Sequence, residues 1–225
     1  MVVVSARGRS FSSGLDCTAY LVNDLVSLKP DGLDPARNGL KVSEGLRFMQ
    51  GAIYSVEACG KPVIAVLHGN AMGAGLDLAC ACDIRYCSAD TKVSVRQPQL
   101  GFISDMGALV WMPKITGNGS WVRELAYTAR LADAQECLRF GLVSKVLDSQ
   151  AAALAAAMET ATVIADKSPI AMHGTKINLN YARDHGVTEG LHFISVWQAA
   201  NIQAEDVAIA VQAAMTKTKP EFPKL

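Results

Sequence analysis

Lys61-Pro62-Val63-Ile64-Ala65-Val66-Leu67-His68-Gly69-Asn70-Ala71-Met72-Gly73-Ala74-Gly75-Leu76-Asp77-Leu78 joins an apolar run to a glycine-rich turn and a helix-like segment. Its apolar run, Val63 to Leu67, lacks polar alternation and is bounded by Pro62 and Gly69. That pattern predicts a strand buried on both faces, as in a parallel sheet. Glycines at 69, 73 and 75 follow, and a helix-like run from Leu76 to Cys82 comes next. A glycine turn between strand and helix lets a ligand approach the backbone, and the helix start offers unpaired N–H groups and a positive dipole end. Taken alone, the string also fits a purely structural turn. A dinucleotide-binding reading meets two obstacles: an earlier strand and a long helix precede the glycines, and no Tyr-x3-Lys pair occurs. No Gly-x-Ser-x-Gly nucleophile elbow occurs either.

Outward from this stretch, Val2 to Ser5 reads as a strand, Gly8 to Gly14 as turn-rich, and Leu28 to Asn38 as a surface loop containing Pro30 and Pro35. Leu46 to Cys59 shows helical spacing. Strands are predicted at Ile84 to Cys87 and Lys92 to Val95, helices at Gly107 to Trp111 and Trp121 to Thr128. Asp133 with Glu136 forms a capping-box pattern, and Gly141 to Val146 reads as a helix stop followed by a strand. Helices then fill the remainder: Ala151 to Asp166, Pro169 to Tyr181, Glu189 to Asn201 and Glu205 to Met215. Short strands alternating with helices, then a helical tail, predict an α/β core with a C-terminal helical appendage.

The 225 residues suit one large domain. With 21 basic against 21 acidic residues, composition gives no electrostatic footprint for nucleic acid or an anionic membrane. Half the residues are hydrophobic and 19% charged, which excludes a disordered chain. No apolar run approaches the ~18 residues of a membrane span, and no signal-peptide pattern opens the chain, so a soluble intracellular protein is expected. Cys80, Cys82 and Cys87 cluster without the second pair or histidines that a zinc site needs. We expect them, with Cys17, Cys59 and Cys137, to pack as small apolar side chains, with no metal site.

The segments Lys61 to Gly69, Gly73-Ala74-Gly75-Leu76-Asp77-Leu78 and Cys82-Asp83-Ile84-Arg85 resemble the crotonase (enoyl-CoA hydratase/isomerase) superfamily. Upstream, Arg9-Ser10-Phe11-Ser12-Ser13-Gly14-Leu15-Asp16 is similar to that family's other signature, and Ala134 with Gly141-Leu142-Val143 fits its later pattern. The resemblance covers essentially the whole chain. Within the superfamily it leans to Δ3,5-Δ2,4-dienoyl-CoA isomerases, through Asp77, Asp105, Ser168-Pro169, Lys176 to Leu179 and Tyr181-x-Arg183-Asp184-His185. It implies an α/β fold with a crotonase-like ββα spiral core over 1–148 and a C-terminal helical region over 149–225. Relative to the family, the N-terminal part looks truncated.

The resemblance implies an enolate, formed from an acyl-CoA thioester and held by the backbone N–H groups of Ser13 and Ala74. Rigid backbone donors suit this role, each worth ~3 kcal/mol. Gly14, Gly73 and Gly75 are expected to let the thioester approach. A dienoyl-CoA isomerase moves a proton from carbon 2 to carbon 6, which calls for acid–base groups at two places along the pocket. Asp77 and Asp105 match two of the three acidic positions of that subgroup. The third, expected as Glu, falls on Gln97, which cannot exchange a proton near neutral pH. The second proton then comes from Asp77 or from a water, or the chain is catalytically weak. The four histidines are expected to be structural.

Two functions compete: isomerisation of 3,5-dienoyl-CoA to 2,4-dienoyl-CoA in fatty-acid β-oxidation, and a non-catalytic or weakly active acyl-CoA-binding subunit. An enoyl-CoA hydratase is less favoured, because neither hydratase Glu is present at 77 and 97. No cofactor is implied, coenzyme A entering as part of the substrate. The apolar positions Leu191, Ile194, Trp197, Ile202, Val207 and Val211 exceed what one surface helix buries, and the resemblance implies homotrimers or hexamers. Pro223-Lys224-Leu225 is similar to the peroxisomal Ser-Lys-Leu address, giving a peroxisome or related organelle such as a glycosome, with a mitochondrion as alternative.

Overall fold

Val63 to Leu67 form the central strand, with all five side chains buried as their unbroken apolar character predicts. The computed structural model describes residues 1–16 and 32–225. Three short units repeat around that strand. In the first, β1 (Val2–Val4) leads to Ser12, which bridges Ala71 in parallel, and after the segment outside the described residues comes α1 (Pro35–Ala58). In the second, β2 (Val63–Leu67) leads to β3 (Asn70–Met72) and α2 (Ala74–Ala81). In the third, β4 (Ile84–Ser88) leads to β5 (Lys92–Ser94), a 3-10 turn at Gln97–Leu100, and α3 (Ala108–Thr116). Each unit places its first strand in one sheet and its second stretch beside another. The successive turns of this ββα spiral stack in parallel.

α4 (Gly119–Thr128), β6 (Ala132–Asp133), α5 (Ala134–Arg139) and β7 (Lys145–Leu147) complete the layers. The larger sheet is parallel throughout, in the order β1-β2-β4-β7, and the smaller runs β3-β5-β6. One core lies between the sheets and α2 to α5, and contains Cys80, Cys82, Cys87 and Cys137. Cys59 is half-buried, and Cys17 lies outside the described residues.

α6 (Gln150–Ala165) covers the other face of the large sheet, setting Ala153, Ala157 and Ala161 against Ile64, Val66 and Tyr86. Three further helices follow, α7 (Pro169–Asp184), α8 (Val187–Asn201) and α9 (Glu205–Thr216). α7 is tied back by buried Lys176, which pairs with Asp83 at 2.8 Å and donates to the carbonyls of Val56 and Lys61. Among the described residues no helix is long and apolar enough to cross a membrane.

Two local readings change. The loop expected to reach Asn38 ends sooner, because the Asp34 side chain accepts from the N–H groups of Ala36 and Arg37 and Pro35 takes the first helical position. The capping box at Asp133 is half made. Asp133 accepts from the Glu136 N–H at 2.8 Å, while the Glu136 carboxylate turns to Arg130 and the Trp121 indole.

Candidate active site

Two chain segments running side by side create the site. Residues 11 and 12 lie along β3, with Phe11 N–H donating to His68 at 2.8 Å, Ser12 N–H to Asn70 at 2.9 Å, and Met72 N–H to Ser12 at 3.0 Å. Beyond that ladder both segments leave their neighbours. Gly14 turns with φ +89, and a Cβ there would stand 2.9 Å from the Met72 carbonyl oxygen, so only glycine fits. On the other segment Gly73 breaks the strand and caps α2, whose first residue is Ala74.

Ser13 and Ala74 are thereby set facing one pocket. Among the described residues neither N–H is taken by another protein group. That of Ala74 is left over by the geometry of a helix start and is aided by the helix dipole. Gly75 does not line this pocket, contrary to the expectation that it makes room for a thioester. A Cβ there would meet the Ser12 Cβ at 2.4 Å, so the missing side chain admits the protein's own neighbouring segment.

The pocket is a cavity of about 370 Å3 lined by Ser13, Gly14, Gly73, Ala74, Gln97 and Asp105, with apolar walls from Met49, Phe102 and Met106. Asp105 is half-buried there. Gln97 is 5% exposed, and its Oε1 has no hydrogen-bond partner among the described residues. Its Nε2 donates a long bond, 3.5 Å, to Asp77 Oδ2. Asp77 itself is wholly buried behind Gln97 and does not line the pocket.

The start of α3 is capped by Asp77, whose Oδ1 accepts from the Ala108 N–H at 2.5 Å. Burial pushes the Asp77 carboxyl up to about 6, and the nearby Asp105 pushes the same way, against the pull of the Ala108 and Gln97 donors.

This shift has a stability consequence. Folding raises the carboxyl from 3.8 to about 6, so between those pH values the folded chain keeps a proton that the unfolded chain has released. Stability therefore falls as pH rises through that window, and ionised Asp77 costs on the order of 3 kcal/mol above it. Asp77→Asn keeps an acceptor for the Ala108 N–H and cannot ionise. Its unfolding free energy in urea is expected to exceed that of the parent by about 2 kcal/mol at pH 8 and by little at pH 4. An equal difference at both pH values would contradict this cause.

Among the described residues no histidine lines the pocket. His68 is buried at the end of β2 with Nε2 3.2 Å from the Gly8 carbonyl, His173 meets Gly60 and His185 meets Tyr181. Sequence reasoning missed Gln50 and Glu57, two α1 residues that reach the segment carrying Asp105. The Gln50 Nε2 donates to the Asp105 carbonyl at 2.6 Å, and Glu57 accepts from the Trp111 indole at 2.6 Å. Their seven-residue spacing on one long helix was the available signal.

The family model described as enoyl-CoA hydratase/isomerase matches residues 1–224. The chain is 42% identical over 218 residues to a mitochondrial Δ3,5-Δ2,4-dienoyl-CoA isomerase of Mus musculus, covering 96% of this chain and 65% of that protein. A peroxisomal protein of the same description from Arabidopsis thaliana is 37% identical over 225 residues, covering 100% of this chain and 80% of the relative. Among solved structures, a putative enoyl-CoA hydratase from Streptomyces coelicolor superposes with TM-score 0.85 at 29% identity, covering 98% of this chain and 76% of that one. The match along nearly the whole chain and the shared spiral fold lead to one conclusion: this chain belongs to the enoyl-CoA hydratase/isomerase family.

Proposed function

We propose that the chain isomerises 3,5-dienoyl-CoA to 2,4-dienoyl-CoA in fatty-acid β-oxidation. The observation that carries this reading is the convergence of two unengaged backbone N–H groups, Ser13 and Ala74, with the half-buried Asp105 in one largely apolar pocket. Asp105 removes a proton from carbon 2, the thioester oxygen gathers the charge at the two N–H groups, a water protonates the dienolate at carbon 6, and Asp105 returns its proton to solvent. No cofactor takes part; coenzyme A arrives as part of the substrate. The description shared by the mouse and A. thaliana relatives supports the choice of reaction.

The second reading is a weakly active or non-catalytic acyl-CoA-binding subunit, favoured by the amide at Gln97. A hydratase needs paired carboxylates on one water, whereas Asp105 is the one carboxylate among the described residues lining the pocket. Incubation of purified protein with a 3,5-dienoyl-CoA, followed by the absorbance of the conjugated 2,4-product, separates these readings. Turnover supports the isomerase, binding without turnover the subunit, and hydration of a 2-enoyl-CoA the hydratase.

The assembly we propose is a homotrimer or a stacked hexamer. Leu191, Ile194, Ile202, Val207 and Val211 stand exposed on α8, the link after it and α9, so they do not complete the core of one chain. A stable monomer in sedimentation at micromolar concentration would defeat this. A peroxisome or related organelle is the proposed location, from Pro223-Lys224-Leu225, with a mitochondrion as the alternative, since relatives are described with either address. A reporter carrying the last dozen residues should become punctate; diffuse signal would remove the peroxisomal proposal.

A further inference from the structure

The segment from Asp105 to Trp111 is held at three points by side chains from elsewhere in the fold. At its start the Asp105 carbonyl accepts from Gln50 Nε2 at 2.6 Å. In its middle the Ala108 N–H donates to Asp77 at 2.5 Å. At its end the Trp111 indole N–H donates to Glu57 at 2.6 Å. Gln50 and Glu57 lie seven residues apart on α1, two helical turns, and so share a face. Glu57 is buried, and its carboxylate is itself fixed by both terminal nitrogens of Arg183 on α7, at 2.7 and 2.9 Å. One face of α1 therefore grips both ends of the segment that carries Asp105, while Met49 of the same helix lines the pocket.

We propose that Gln50 and Glu57 are positioning residues, α1 serving as the straightedge that aligns Asp105 with the N–H groups of Ser13 and Ala74. The proposal rests on the reading of Asp105 as the base. A general base works only within hydrogen-bond reach of its proton, and a displacement of about 1 Å can cost on the order of a hundredfold. Gln50 holds the main chain of Asp105 and leaves its carboxylate free, so its loss acts on alignment. Because Gln50 is exposed, removing its bond leaves global stability nearly unchanged.

Gln50→Leu is the test, with Gln50→Lys as the conservative rescue, since a lysine ammonium can still donate to the Asp105 carbonyl. Gln50→Leu is expected to lower kcat about tenfold with KM within about twofold, and Gln50→Lys to recover most of the loss. Hydrogen–deuterium exchange supplies a readout independent of turnover. The amides of Asp105 to Ala108 should exchange faster in Gln50→Leu, with the rest of the protein and the melting temperature unchanged. Unaltered exchange at those amides overturns the proposal whether or not the protein turns over. Faster exchange with unaltered kcat in an active enzyme also overturns it. A parent protein that fails to isomerise dienoyl-CoA defeats the functional reading separately.

Discussion

Asp105→Asn is expected to abolish both the exchange of the carbon 2 proton with solvent and net isomerisation. Asparagine preserves the shape of the side chain and leaves Gln50 bonded to the same carbonyl, so the segment keeps its place. It cannot accept a proton near neutral pH. General-base catalysis contributes typically 10²–10⁴-fold, and a loss in that range is the expected result for both readouts. Acyl-CoA affinity should change little, because the substitution leaves the backbone N–H groups of Ser13 and Ala74, the proposed contacts to the thioester, intact. Exchange measured by NMR in deuterated water, beside product formation by absorbance, checks the claim. Full exchange by Asp105→Asn would mean that the base has been misassigned.

Gln97→Glu is expected to raise isomerisation by at least about tenfold. Gln97 is buried in the pocket wall with its Oε1 unpartnered and its Nε2 toward Asp77, so a carboxyl of nearly equal size replaces it without a clash. Burial has already pushed Asp77 up to about 6, and a second carboxyl beside it would make the two share a proton. The pair would then hold a transferable proton near neutral pH, beside the pocket. Asp77 alone serves this purpose poorly, since it sits behind Gln97 and is engaged with the Ala108 N–H. Asp77→Asn in the parent should therefore reduce isomerisation far less than Asp105→Asn. If the two variants are equally damaging and Gln97→Glu adds nothing, Asp77 already supplies the second proton.

The residues differ in how openly the sequence announces them. Val63 to Leu67 needed no context, because an uninterrupted apolar run between Pro62 and Gly69 has few other uses than a doubly buried strand. Ser13 and Ala74 were legible only as positions in a resemblance; their meeting depends on the Ser12–Ala71 bridge, a pairing across 59 residues. The neighbouring prolines and glycine make Asp34-Pro35 look like loop, although Asp before Pro is also a helix start, and the side-chain caps decide between the two. The two aspartates could not be sorted by sequence, since which one caps α3 depends on α2 lying beneath it. Gln50 and Glu57 left the faintest trace. A polar residue on a long helix is ordinarily solvated, and only the packing of α1 against the Asp105 to Trp111 segment gives this pair partners there.

Solvent exchange at carbon 2 of a dienoyl-CoA, catalysed by the unsubstituted protein in deuterated water, shows directly whether this pocket forms a dienolate. In the proposed mechanism exchange needs only Asp105 and the two backbone N–H groups, so it is independent of how carbon 6 receives its proton. Deuterium is expected at carbon 2 of recovered substrate, even where net isomerisation is slow. Binding of the dienoyl-CoA with no deuterium incorporated and no product formed would contradict the proposed mechanism.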